Sequence, residues 1–147
     1  NLGYNDLIYK INLEENLNNS TLNKIISEID SNYTLLIEEI KKYNQNSIVV
    51  IGYPQSNKDD YYQNQGIKQL NNILKNKNNI TFIDTNQILS NREKYFSNPN
   101  SFYPNPLAYQ RIAKEIIGKT LEKEEIIWYS NRALNYYGIF LSWRKEW

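Results

Sequence analysis

Two short apolar runs constrain the fold of this 147-residue chain more than any other feature. Residues 47–52 read Ser-Ile-Val-Val-Ile-Gly, and residues 80–84 read Ile-Thr-Phe-Ile-Asp. Continuous β-branched runs of this length are typical of buried strands in parallel sheets. The apolar residues between them recur at helical spacing, at Ile67, Leu70, Ile73 and Leu74. A strand, a helix and a second strand in this order predict a right-handed βαβ unit and an α/β fold.

One further helix is predicted before this unit and one after it. Residues 20–44 form an amphipathic pattern, and we interpret Ser20 as its N-cap. The apolar stripe consists of Leu22, Ile25, Ile26, Ile29, Tyr33, Leu36, Ile37, Ile40 and Tyr43. The later helix is predicted to begin at Pro106, with Asn105 as its N-cap. Its apolar positions are Leu107, Ile112, Ala113, Ile116, Ile117 and Leu121.

The remaining segments read as turns and loops. Residues 1–6 are predicted to form a turn, because Gly3 permits positive φ and the Asn5-Asp6 pair can bond back to the backbone. A short helix or an irregular stretch is predicted to follow through residue 17, and residues 85–89 predict a short helical turn. The prolines and asparagines of residues 98–105 predict a loop.

Composition excludes several classes of function. The chain carries 17 basic and 16 acidic residues, for a net charge of +1, so no strong field favours a nucleic acid partner. Cysteine is absent, which excludes disulfides and thiolate metal sites. Histidine is absent too, and with it the usual general base and the commonest metal ligand. We therefore predict no metal and no cofactor. No apolar run reaches the length of a transmembrane segment.

A ligand cleft is predicted where the two strands end. Sites in α/β sheets lie beyond the carboxyl ends of the strands, and here those loops span residues 52–62 and 84–105. They carry the aromatic residues Tyr53, Tyr61, Tyr62 and Phe102, which we take as the candidate cleft. Ser56 and Ser101 lie in the same loops, but neither belongs to a Gly-x-Ser-x-Gly elbow.

Two sequence blocks give this layout a family resemblance. Residues 3–6, Gly-Tyr-Asn-Asp, are similar to the Gly-x-Asn-Asp block of the SGNH (GDSL-type) esterase and lipase superfamily. Residues 103–109, Tyr-Pro-Asn-Pro-Leu-Ala-Tyr, resemble its closing His-Pro-Asn-x-x-Gly-Tyr block. The resemblance covers about residues 1–122. It implies a partial flavodoxin-like, SGNH-type three-layer α/β/α domain with few parallel strands, which we assign to residues 1–125.

The resemblance also implies site residues and a ligand. Asn5, beside Gly3, stands where the family places an oxyanion donor, and Tyr103 and Asn100 stand at the positions of the family's catalytic His and Asp. An ester or carbohydrate ligand follows by analogy, and an exported or cell-surface location is favoured slightly.

The departures from the family argue against catalysis. The family's nucleophilic serine block lies upstream of Gly-x-Asn-Asp, so the N-terminal strands and the nucleophile are expected to be missing from this chain. A tyrosine, with an ordinary pKa of about 10, is a poor proton acceptor near neutral pH, and a neutral asparagine cannot stabilise a cation beside it. We therefore predict an incomplete or degenerate ester hydrolase domain. Two alternatives stay open: a non-catalytic SGNH-like module that binds a ligand or partner, and an unrelated small α/β domain.

Residues 126–147 form a separate aromatic tail, which contains all three tryptophans. We predict that it is helical and packs on the domain. The alternatives are a helix that binds a partner or a membrane interface, and an end without selected structure. A sheet of two strands has open edges. We therefore expect the chain to be marginally stable alone, or the tail or a protein partner to cover an open edge.

Overall fold

A computed structural model describes residues 3–44, 46–57 and 60–120. The elements are helix α1 (Tyr4–Leu13), helix α2 (Asn19–Tyr43), strand β1 (Ile48–Ile51), helix α3 (Tyr61–Lys75), strand β2 (Ile80–Ile83), helix α4 (Thr85–Ile88), helix α5 (Arg92–Tyr95) and helix α6 (Pro106–Thr120). The chain is mixed α/β. Its strands pair in parallel, with Ile48 opposite Ile80 and Ile51 opposite Ile83, which confirms the predicted βαβ unit.

Local capping chemistry sets where the helices begin. At α2 the predicted cap, Ser20, is wrong: Asn18 Oδ1 accepts from the backbone N–H groups of Ser20, at 2.9 Å, and Thr21, at 3.1 Å. Thr21 Oγ1 accepts from the Asn18 N–H in return, which completes a capping box. At α6 the predicted cap is confirmed, since Asn105 Oδ1 accepts from the Ala108 N–H at 3.1 Å.

The predicted N-terminal turn is instead the start of α1. Asn5 and Asp6 lie in the first helical turn, and Asp6 Oδ2 accepts from the Gly3 N–H at 3.2 Å. Gly3 has φ +83°, as the sequence predicts, and a Cβ at this position would lie 2.6 Å from Tyr33 Cε2. The glycine is therefore required both by its backbone conformation and by the close approach of α2.

Helices lie on both faces of the two-stranded sheet. The main core joins α1, α2 and α3 to one face, on which Val50 and Phe82 pack. Its fully buried members include Leu7, Leu22, Ile67, Leu70 and Leu74. Helix α6 contacts β2, α4 and α5, and a smaller cluster forms there from Leu89, Phe96, Ala108 and Ile112. Because side chains alternate along a strand, Ile51 and Ile83 point towards the face on which α6 lies.

The strands are less buried than predicted. Val50 and Ile83 are buried, but Ile51 is 42% exposed. The apolar stripe of α2 likewise extends past its buried half, because Leu36 and Tyr43 are exposed. Leu107 and Ile117 of α6 are exposed too, whereas the sequence placed them on the packed stripe. The outer edge of β1 has no neighbouring strand among the described residues, and this leaves the adjoining apolar side chains open.

Two sequence predictions concern other parts of the chain. The aromatic tail of residues 126–147, and Leu121 before it, lie outside the described residues. In the three described ranges, no helix has both the length and the hydropathy needed to cross a bilayer.

Candidate functional site

The backbone after β1 lies directly against its neighbours. A Cβ on Gly52 would lie 2.6 Å from Phe82 Cζ and 3.1 Å from Asn71 Oδ1. The Thr85 hydroxyl donates to the Gly52 carbonyl at 2.9 Å, so the start of α4 holds the chain at this point. The absence of a side chain at Gly52 allows the loop to leave the sheet in close contact with both α3 and β2.

Side-chain amides then bind residues 53–56, here called the clamped segment. Asn71 Oδ1 accepts from the Tyr53 N–H at 2.8 Å, and its Nδ2 donates to the Tyr53 carbonyl at 2.7 Å. Asn86 Nδ2 donates to the same carbonyl at 3.1 Å, and Asn86 Oδ1 accepts from the Gln55 N–H at 2.7 Å. Two amide side chains thus replace the hydrogen bonds that a neighbouring strand would supply.

The clamped segment is joined to the loop that precedes α6. Asn64 accepts from the Ser56 N–H at 2.9 Å and donates to the Ser56 carbonyl at 3.1 Å. The buried Ser56 hydroxyl donates to the backbone carbonyl of Asn100. Asn100, the predicted counterpart of a catalytic acid, therefore meets this loop through its backbone. Ser56 donates its proton to a carbonyl, which cannot act as a base.

Arg92 connects two loops, the one after β1 and the one before α6. Its Nε donates to the Pro99 carbonyl at 2.7 Å, and its two terminal nitrogens donate to the carbonyls of Gln55 and Ser101. The guanidinium carbon lies 3.9 Å from the Phe96 ring centroid, in a cation–π contact. Burial lowers the pKa of Arg92 from its ordinary value. The planar fork of donors suits this task, because carbonyls from separate loops converge on one group.

A cluster of buried tyrosines lies beneath the loops. The rings of Tyr4 and Tyr53 have centroids 5.5 Å apart, and the rings of Tyr4 and Phe102 are 5.9 Å apart. The hydroxyls of Tyr33 and Tyr53 share a hydrogen bond. Burial is the main cause that raises the pKa of Tyr4, Tyr33 and Tyr53, because a phenolate loses its hydration there. For Tyr4, the nearby Tyr103 and Asp60 raise the pKa further.

An open groove of about 400 Å³ runs from this cluster along β1. We call it the edge groove. Its aromatic end is lined by Tyr4, Tyr53, Phe102, Tyr103 and Tyr109. Its aliphatic end is lined by Leu36, Ile37 and Ile40 of α2 and by all four residues of β1. The groove thus offers ring faces and hydroxyls at the carboxyl end of the strand, and aliphatic side chains along the strand itself.

The structure brings some of the predicted site residues together. Tyr4, which lies within the Gly-x-Asn-Asp-like block, and Tyr103, from the closing block, both line the aromatic end of the groove. Tyr53 and Phe102, two members of the predicted cleft, line it as well. Segments far apart in the sequence therefore meet at the carboxyl edge of the sheet.

Other predicted residues lie outside the groove lining. Asn5 is exposed in the first turn of α1, and Gly3 lines a separate depression of about 60 Å³. Tyr61 and Tyr62 begin α3, where their ring centroids are 5.2 Å apart in an edge-to-face contact. Tyr61 is 61% exposed, and neither tyrosine is among the residues that line the edge groove.

Several residues of the site escaped the sequence analysis. Asn71 had a usable signal, since it lies four residues after Ile67 on the buried stripe of α3, where an amide requires a partner. Tyr33 fits the apolar stripe of α2 in the sequence, and only the fold shows that its hydroxyl meets that of Tyr53. For Arg92 and Asn86 no local signal exists, because both bind backbone groups of the loop after β1, more than 30 residues away in the sequence.

The tyrosine cluster predicts how stability depends on alkaline pH. A tyrosine whose pKa is higher in the folded state than in the unfolded state stabilises the fold fully below its unfolded-state pKa, about 10. This stabilisation is lost as the pH rises above that value. We expect tyrosinate absorbance to show two steps: exposed tyrosines ionise first, and the buried ones ionise only as circular dichroism reports unfolding. Tyr53→Phe should reduce the second step. A single step in a chain that stays folded would contradict this.

No three histidine, cysteine, aspartate or glutamate side chains lie close enough to hold a metal ion in the described part of the chain. No protein-family model, curated protein or solved structure matches the sequence or the fold. The resemblance to the SGNH superfamily accordingly rests on the two sequence blocks alone.

Proposed function

We propose that this chain forms a degenerate SGNH-type domain, of partial flavodoxin-like three-layer architecture, that binds an ester or carbohydrate ligand without hydrolysing it. One observation carries the proposal: Tyr4 and Tyr103, from the two family-like blocks, line the same groove at the carboxyl end of β1. Ligands of open α/β sheets bind at this edge.

The aromatic end of the groove has the properties of a binding surface. Tyr103 is 66% exposed and lies beside Phe102, so both an apolar ring face and a hydroxyl are available to a ligand. The loops that carry these residues are held by Arg92 and by the amide contacts of the clamped segment. A site that is ordered before binding loses little conformational entropy when the ligand arrives.

The residues of the groove and its loops do not supply the groups that ester hydrolysis needs. An alcohol nucleophile needs a base that takes its proton and a third group that orients the base. The sequence contains no histidine, and the Ser56 hydroxyl donates to a backbone carbonyl. Tyr103 and Asn100, at the family's base and acid positions, supply neither an imidazole nor a carboxylate.

We expect no esterase activity from the purified chain. Hydrolysis of p-nitrophenyl acetate should proceed at the rate of the buffer alone, and a fluorophosphonate probe should label no serine. Turnover well above buffer, together with labelling, would contradict the proposal directly. A Ser56→Ala variant identifies the labelled residue in that case.

Binding is expected to depend on Tyr103. With an O-acetylated xylo-oligosaccharide as the probe, Tyr103→Ala should weaken the affinity about tenfold, because an aromatic contact of this kind contributes on the order of 1 kcal/mol or more. Tyr61→Ala is the matched control, since Tyr61 is similarly exposed but lies outside the groove lining. Isothermal titration calorimetry measures both variants. Equal affinities for the two variants, or no binding by the unmodified chain, would count against this ligand class.

A further inference from the structure

The outer edge of β1 presents backbone groups to the edge groove. The Gly52 N–H donates to the Ile83 carbonyl at 2.9 Å, so the backbone groups of Gly52 point towards β2. Because these groups alternate in direction along a strand, those of Val49 and Ile51 point the other way, into the groove. Among the residues that the structure describes, none bonds to these outward groups.

The walls of the groove come from both faces of the sheet. Ile37 and Ile40 of α2 stand on one side of β1, and Tyr109 and Ile112 of α6 stand on the other. A strand inside an α/β sheet needs this arrangement, because it pairs along its edge and is covered on both faces. The groove beside β1 therefore has the form of a strand position that is covered on both faces.

The outer edge of β2 differs from that of β1. By the same alternation, the Phe82 carbonyl points away from β1, and Lys119 Nζ donates to it at 3.2 Å. A lysine side chain that occupies the edge of a strand, here from α6, discourages the addition of another strand. The outer edge of β1, and not that of β2, is therefore the edge at which a further strand can pair.

The direction of α6 indicates which segment reaches this edge. Ile112 lines the groove together with Thr85, at the carboxyl end of β2, whereas Lys119 Nζ reaches the Phe82 carbonyl within the strand, so α6 runs antiparallel to β2. Helix α3 carries the chain from β1 to β2 on the opposite face. Parallel connections are almost always right-handed, so a connection through α6 leads back past β2 to the free edge of β1.

We propose that residues 126–129 add to β1 as a third, parallel strand and fill the aliphatic end of the edge groove. They read Ile-Ile-Trp-Tyr, a β-branched and aromatic run of the same length as β1 and β2. Residues 121–125, between this run and the end of α6, match the length of ordinary connections from helix to strand, about 2–6 residues.

The charges of residues 121–125 and of the end of α2 also favour a connection from α6 to the edge of β1. The connecting residues read Leu-Glu-Lys-Glu-Glu and carry an excess of negative charge. Lys41 and Lys42 end α2, immediately before β1, at the edge of the sheet where a parallel third strand would start. An acidic connection beside this basic helix end is favourable through the attraction between opposite charges.

The absence of cysteine allows a direct test in the 147-residue chain. Val49→Cys is combined in turn with a single cysteine at each of positions 126, 127, 128 and 129, and disulfide yield is measured after mild oxidation. We expect intramolecular crosslinks several-fold stronger at alternate positions, either 126 and 128 or 127 and 129, because side chains alternate along a strand. Thr81→Cys is the control, since Thr81 pairs with Val49 but lies one strand farther from the groove.

Other patterns would overturn the proposal. Helical docking of the tail predicts crosslinks at 126 and 129 together. A second copy in the groove predicts disulfides between chains whose yield rises with concentration, and any other polypeptide there predicts no crosslink to positions 126–129. Equal yields from Val49→Cys and Thr81→Cys would also exclude pairing at the β1 edge.

Tryptophan fluorescence gives a second readout that needs no cysteine. All three tryptophans lie in residues 126–147, so their emission reports on this segment alone. Ile51→Lys, at an exposed position in the groove, should shift the emission to longer wavelength. Ile117→Lys, at a residue 46% exposed on α6 outside the groove lining, should leave it unchanged. An unchanged emission in Ile51→Lys, with the far-ultraviolet circular dichroism of the unmodified chain, would contradict the proposal.

Discussion

Replacing Asn71 with leucine is expected to lower the free energy of unfolding by about 3 kcal/mol, because buried backbone groups lose their partners at a cost of about 1–3 kcal/mol each. Asn71 is buried on α3 and binds both the N–H and the carbonyl of Tyr53. Leucine fills a similar volume but offers no donor or acceptor. The Tyr53 carbonyl keeps the bond from Asn86, so the orphaned N–H carries most of the effect.

Asn72→Leu is the matched control for this prediction. Asn72 is the next residue of α3 and is exposed, so the same substitution there should change the free energy of unfolding by less than about 0.5 kcal/mol. Urea denaturation followed by circular dichroism measures both variants. Equal effects at positions 71 and 72 would show that the amide contacts to Tyr53 contribute nothing to stability.

Arg92→Ala is expected to have an effect of similar size, about 3 kcal/mol, because hydrogen bonds to charged groups contribute about 1.5–3 kcal/mol each and the site is only partly buried. The substitution leaves the carbonyls of Gln55, Pro99 and Ser101 without a shared donor. Since Phe102 and Tyr103 follow Ser101 directly, we also expect weaker ligand binding at the aromatic end of the groove.

Two further variants separate geometry from charge at Arg92. Arg92→Lys keeps the charge but loses the planar fork, so it should recover less than half of the lost stability. Arg111→Ala removes a cation that is 43% exposed and 3.7 Å from Glu115, and it should cost less than about 0.5 kcal/mol. Urea denaturation again gives the values. An Arg92→Lys variant as stable as the unmodified chain would show that charge alone is required.

The interpretation of the strands and helices from sequence succeeded where the relevant contacts are local. The parallel pairing of β1 and β2 follows from two apolar runs with a helical pattern between them. The Asn105 cap and the positive φ of Gly3 follow from the chemistry of single residues and their immediate neighbours. The Ser20 cap failed for an equally local reason: Asn18 offers an acceptor of similar strength, and sequence alone does not rank the two.

The candidate site was predicted less completely, because its contacts join distant segments. Tyr53 and Phe102 follow from their position in the loops after the predicted strands, and Tyr103 follows from the resemblance of its sequence block. Tyr61 was assigned to the same cleft because it follows β1 in the chain, but α3 begins there and carries it outside the groove lining. A loop residue and the first residue of the next helix look alike in sequence, although their side chains point in different directions.

The sequence by itself determined the order of strands and helices in the βαβ unit and the lack of imidazole and thiol chemistry, because periodicity and composition are properties of the chain alone. Only the tertiary structure decided that Asn71 and Asn86 hold the segment after β1, that Arg92 joins two loops, and that no described residue pairs with the edge of β1 between α2 and α6. The reason is physical: a buried amide or guanidinium is matched to whichever backbone groups the fold brings within about 3 Å, and those partners lie far away in the sequence.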